Sequence, residues 1–191
     1  CDNADQFLGV MAHEVGHIAG GHISRMDAAS NQALVPAAAA VILGGAIALA
    51  SGNSEPLMAG LAGGGHLFER GMLKYSRTQE SAADQAALAY LEKLRWPADG
   101  LSIFLDKINK MYGSTSRIDP YTVTHPLTPE RIQSIHDHLR DCTHKERSMP
   151  AEIESKFQRI KAKMMAYLDP SRALSTYSGT SLPARYAQAI A

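Results

Sequence analysis

The sequence predicts a mainly α-helical protein. Two observations carry this: no segment of the 191 residues sustains the two-residue alternation of a strand, and several segments repeat apolar residues at helical spacing. Cap signals at the heads of some of these segments add to it. Strand is expected only as short pieces near 114–124.

The first helix is expected to start from Asn3 or Asp5 as N-cap and to run to about Ala29, with Phe7, Val10, Met11, Ile18 and Met26 on its apolar positions. Gly16 and Gly20, four apart, share a face and read as a place where another helix approaches, not as a break. From Asp27 to Glu55 there is no intervening charge, and LVPAAAAVILGGAIALA (34–50) resembles a membrane span. It is short for a hydrocarbon core of about 30 Å, so a buried or interfacial helical hairpin is expected, closed by SGNSEP and returning through 57–68. Peripheral membrane contact through 34–68 is the alternative.

A helix over about Thr78–Leu94 stops before WPADG, and another covers about 98–112. After the loop GSTSRIDPYTVTHPL, Thr128-Pro129 reads as N-cap and first-turn proline of a helix to about Cys142. The stretch 151–168 places apolar residues at 153, 157, 160, 164, 165 and 168, an amphipathic pattern. DPSRALSTYSGTSLP reads as a linker, and PARYAQAIA as the start of a further helix.

Nineteen basic and nineteen acidic residues cancel, so no long-range field draws the protein to nucleic acid, and nucleic-acid binding is not expected. Two cysteines, Cys1 and Cys142, argue against a disulfide scaffold and a thiolate-bound structural zinc, and leave a single bridge or two unrelated thiols open. Any bound metal must therefore use histidine and carboxylate. Residues 1–12 lack the basic start and apolar stretch of a signal peptide.

HEVGH, residues 13–17, carries the chemistry. Histidines four apart on a helix differ by about 40° of rotation and about 6 Å of rise, so His13 and His17 can reach one ion. Glu14 projects beside them, where a carboxylate can take a proton from water. A third histidine ligand at the metzincin spacing would fall on Ile23. His22 is one residue early and about 140° around a continuous helix, so it is expected to face away as a surface or packing residue. A glutamate from a separate helix is the other common solution, and SRTQESAADQAAL offers Glu80 as ligand. Asp84, one turn later, is placed to accept from the far nitrogen of a ligand histidine, expected to be His13. An ordinary solvated acidic face is the alternative.

HEVGH, the downstream ESAAD and then THPLTPER together resemble metallopeptidase family forty-eight, over most of residues 3–170. The resemblance implies a zincin-like gluzincin endopeptidase fold, α+β in the full domain with its small sheet upstream or minor here. It implies one Zn²⁺ on His13, His17 and Glu80, with Glu14 as general base. It also assigns His125, matching a loop histidine that in members of the periplasmic BepA-type branch can occupy the fourth zinc position and switch the enzyme off. Swung away, an imidazole there could donate to the oxyanion, and a loop histidine that simply precedes a helix is the alternative. Arg131 matches a family arginine that supports the transition state or fixes His125; a solvated arginine is the alternative.

On this resemblance, residues 1–148 form the peptidase domain, 149–170 an amphipathic helix on it, and 171–191 a linker leading into a C-terminal helical repeat region of a longer chain. Protein or peptide substrates in the periplasm or cell envelope of a Gram-negative bacterium follow, with protein quality control as the role. A chaperone-like adaptor with a closed structural zinc site is the competing reading. An integral-membrane protease would need longer apolar spans than 34–50.

Overall fold

The computed structural model describes residues 1–112, 120–141 and 149–191, and among these every regular element is a helix. In chain order they are α1 (Ala4–Ala19), α2 (Met26–Ser51), α3 (Glu55–Leu94), α4 (Asp99–Tyr112), α5 (Pro120–Thr124), α6 (Pro129–Asp141), α7 (Ala151–Leu168), α8 (Pro170–Thr176) and α9 (Leu182–Ile190). Strand was expected near 114–124. Residues 120–124 are helical instead, and 113–119 lie outside the described residues. The Cys1–Cys142 pairing also falls outside them.

Asn3 caps α1, its side chain accepting from the Gln6 amide at 3.0 Å. The helix ends at Ala19, ten residues short of the sequence reading. Gly20 closes it, its N–H bonding back to Gly16 O, and Gly21 at φ 58° turns the chain into a conformation that glycine adopts without a Cβ clash. Gly16 does serve close approach, as expected, but Gly20 marks a break.

Two contacts with almost no side chain between them set α1 in place. A Cβ on Gly9 would lie 2.7 Å from Leu101 N on α4, and one on Gly16 would lie 2.8 Å from Ala83 O on α3. Gly9, His13 and Gly16 share one face, so His13 is held between these two points and is fully buried. Beneath them Ala87, Leu88 and Leu91 of α3, Ala98, Leu101 and Leu105 at and within α4, and Ile135 of α6 form the main core.

The hairpin exists, built from small residues: Cβ atoms on Gly44, Gly60 and Gly64 would meet Pro56 O, Ala40 O and Ala37 O at 2.4, 2.6 and 2.7 Å. Its return arm is no separate helix, because α3 runs unbroken through 40 residues from the hairpin to the core. Nor is the hairpin buried. Ile42 and Leu49 are 71% and 89% exposed, and α2, 26 residues long, is apolar enough to cross a membrane by length and composition. The sequence reading took 34–50 as both short and only weakly apolar, being mostly alanine and glycine, whereas the helix continues to Met26 and Ser51.

Residues expected as a linker form α8, with Asp169 as N-cap accepting from the Arg172 amide. Helices α7, α8 and α9 share a second core of Ala162, Ala166, Ala173 and Ala187. That group meets α1 through Phe7 against Phe157, ring centroids 5.5 Å apart, and through Glu154 Oε2 accepting from the Ala4 amide.

Candidate metal centre

Four side chains from three parts of the chain converge beside α1. His13 and His17 come from α1, Glu80 from α3, and His125 from the bend that follows α5. One donor atom from each lies within 4.8 Å of the others. His13 Nε2 and His17 Nε2 are 3.0 Å apart, Glu80 Oε1 is 3.2 Å from both His17 Nε2 and His125 Nδ1, and His125 Nδ1 is 3.4 Å from His13 Nε2.

Around the cluster stand the other residues singled out from the sequence. Asp84 Oδ1 lies 2.9 Å from His13 Nδ1, on the far side of that ring from the donor cluster. Arg131 is 4% exposed, against the solvated alternative. It grips Asp84 with two bonds, Nε and Nη2 donating at 2.7 and 2.8 Å, and its Nη1 lies 2.8 Å from Glu80 Oε2 and donates to Pro126 O. The arginine thus clamps both carboxylates of α3 and the carbonyl next to His125. Glu14, 38% exposed, sits across from His125, Oε1 3.6 Å from Nε2.

Charge follows from this packing. Burial works against ionised Glu80, but the contacts with His125 and His13 and the charge of Arg131 hold its carboxyl down to about 2. Burial also opposes a charge on His13; the Asp84 and Glu80 carboxylates outweigh it and raise His13 to about 9 in the ion-free cluster. His17 is lowered to about 4, chiefly by burial.

Two residues at the site escaped the sequence reading. Tyr121 stacks on His125, rings 22° apart at 4.7 Å, and burial raises its phenol. A tyrosine four residues before the histidine was the available signal. His22, expected to face away, is 5% exposed with Nδ1 2.8 Å from His17 Nδ1. The turn at Gly20 and Gly21 brings it back, which a helical-wheel argument cannot foresee.

The donor set suits a divalent cation. Tetrahedral zinc with bonds of about 2.0–2.1 Å has ligand-to-ligand edges of about 3.3–3.4 Å, close to the 3.0–3.4 Å separations here. Glu80 presents Oε1 to His17 and His125, while its Oε2 is paired with the Arg131 guanidinium, so one oxygen faces the cluster and the other is held from behind.

A family model described as Peptidase family M48 matches residues 1–139, a span that includes every residue of the cluster. The chain belongs to peptidase family M48. It is a metallopeptidase domain, as the family and the site together require. The beta-barrel assembly-enhancing protease of Escherichia coli (strain K12) is 26% identical over 172 residues, 90% of this chain and 34% of that protein. A putative beta-barrel assembly-enhancing protease of Vibrio cholerae is 28% identical over 71% of the chain and 28% of the relative. Metalloprotease YcaL of Escherichia coli (strain K12) is 29% identical over 72% of the chain and 50% of its own length. The chain thus spans about a third of the first of these relatives. No solved structure matches the chain.

Proposed function

We propose that this chain is the zinc-dependent endopeptidase domain of an envelope protease, with His13, His17 and Glu80 as zinc ligands and Glu14 as general base. The convergence of four donor atoms within 4.8 Å carries the reading. Zinc bound there supplies Lewis acidity, acidifying water and polarising the scissile carbonyl. Glu14, part-exposed at the edge of the cluster, takes the proton of the attacking water and delivers it to the leaving amine. Asp84 orients His13, and Arg131 fixes both α3 carboxylates.

His125 is the fourth ligand of a resting, self-inhibited state. Its Nδ1 stands at ligand-to-ligand distance from both His13 and Glu80, and Tyr121 braces its ring. The same closure favours a second reading, a chaperone-like adaptor whose zinc is structural. Casein cleavage separates them: the protease loses it to a chelator and regains it with zinc, and His125→Ala raises it. Glu14→Gln keeps zinc and loses cleavage; a Glu14→Gln variant that still cleaves sinks the assignment.

The names of the relatives support envelope proteins of a Gram-negative bacterium as substrates, and quality control of their assembly as the role. Residues 1–148 are the peptidase domain, and 149–170 pack on it. The separate core of α7–α9 supports 171–191 as the start of a C-terminal helical repeat region. The α2–α3 hairpin is a bilayer contact: α2 is apolar along its length, and away from its seam with α3 its large apolar side chains lie exposed, a composition suited to lipid or to a core.

A further inference from the structure

His17 and His13 offer their Nε2 atoms to the same cluster, which leaves each Nδ1 pointing outward. On His13 that atom meets Asp84 at 2.9 Å. On His17 it meets another imidazole, His22, Nδ1 to Nδ1 at 2.8 Å with the rings perpendicular. A ligand histidine with Nε2 committed as lone-pair donor carries its proton on Nδ1, so His17 Nδ1–H donates and His22 Nδ1 accepts. The proton of neutral His22 then sits on Nε2.

Several features of the chain serve this one ring. Gly21 adopts a positive φ that folds the chain back after α1. A Cβ on Gly20 would stand 2.2 Å from His22 Nε2, so only glycine leaves room for the imidazole there. Tyr75 on α3 donates its hydroxyl to the His22 carbonyl at 2.8 Å, and Arg25 donates to the Gly20 carbonyl. His22 N bonds to His17 O, and the ring is 5% exposed.

We propose that His22 is a positioning residue, the hydrogen-bond acceptor that fixes the tautomer and orientation of His17 in the zinc site. It matches on the second histidine what Asp84 provides on the first, through a neutral acceptor instead of a carboxylate. The proposal rests on the zinc-site reading above.

The test is zinc affinity of the full chain, measured by chelator competition, with circular dichroism and melting of the ion-free protein as controls. His22→Phe keeps a buried ring and removes the acceptor; it should weaken zinc binding by about 10–100-fold, the usual effect of losing an outer hydrogen-bond partner. His22→Asn places an amide oxygen near the lost Nδ1 and should recover most of that. Gly20→Ala, which pushes the ring aside, should weaken binding on its own and add nothing to His22→Phe. If His22→Phe does not fold, the Asn and Gly20→Ala variants still decide.

Unchanged affinity in His22→Phe refutes the role, as does an Asn variant that binds no better than Phe, since packing alone would then explain the ring. A wild type that binds no zinc overturns the site itself. A wild type that binds, with variants that bind equally, overturns only the part assigned to His22.

Discussion

Gly16→Ala tests whether the separation of α1 and α3 sets the metal site. The added methyl would begin 2.8 Å from Ala83 O and 3.0 Å from Ala83 Cα, both backbone atoms of α3 that cannot swing aside. Ordinary contact begins at 3.4 Å, so the helices must part by about 0.6 Å at this point. Overpacking of this kind costs about 1–3 kcal/mol, while replacing a mid-helix glycine by alanine returns about 1 kcal/mol. The net loss, about 0–2 kcal/mol, lowers the melting temperature by at most about 8 °C. The site suffers more, because His17 lies one residue from the wedge and Glu80 three residues from Ala83, and metal–ligand distances in well-formed sites agree to within about 0.2 Å. Zinc affinity by chelator competition should therefore fall clearly while the fold survives. Gly63→Ala is the control: its Cβ would meet nothing within 4 Å, so it should stabilise slightly and leave zinc binding alone. A Gly16→Ala protein that binds zinc as tightly as wild type would show that this contact does not govern the site.

Other perturbations have equally definite outcomes. Arg131→Met strands the buried carboxylates of Glu80 and Asp84 and should cost about 3–5 kcal/mol, read as a drop of about 6–20 °C in the melt of the ion-free protein; a smaller drop would show that Arg131 is not their counter-ion. Because folding raises His13 from 6.5 to about 9, its contribution to ion-free stability is complete below pH 6.5 and is lost as pH rises through about 9. Melts in chelator should decline across that window, and a flat profile contradicts the charge pairing with Asp84 and Glu80. Ile42→Glu combined with Leu49→Glu should abolish flotation of the chain with phospholipid vesicles and spare zinc binding; flotation equal to wild type would exclude this face as the lipid contact.

What could be read from the sequence were relations within one turn of one helix. His13 with His17 and Glu80 with Asp84 are i, i+4 pairs whose common face follows from helix geometry alone, and Asn3 and Thr128 announced helix starts through their side chains. Where the helix stopped was less legible. The reading carried α1 through Gly20 and Gly21, and that one error turned His22 away from the site it adjoins. The continuity of α3 through Gly64 and Gly71 was not legible, because local propensity says nothing of the close contacts that Ala37 and Ala33 of α2 make there. Composition showed that 34–50 was apolar but not whether protein would cover it. Arg131 was identified, but its clamp on two carboxylates depends on α6 docking against α3, a long-range event that no local pattern encodes.

Helix α3 joins two parts of the molecule that would otherwise be independent. Glu80 and Asp84 ride on the same helix as the apolar arm that begins at Glu55, with about 30 Å of continuous helical backbone between Gly60 and Glu80. A tilt of the outer end would reach the carboxylates along that one rod.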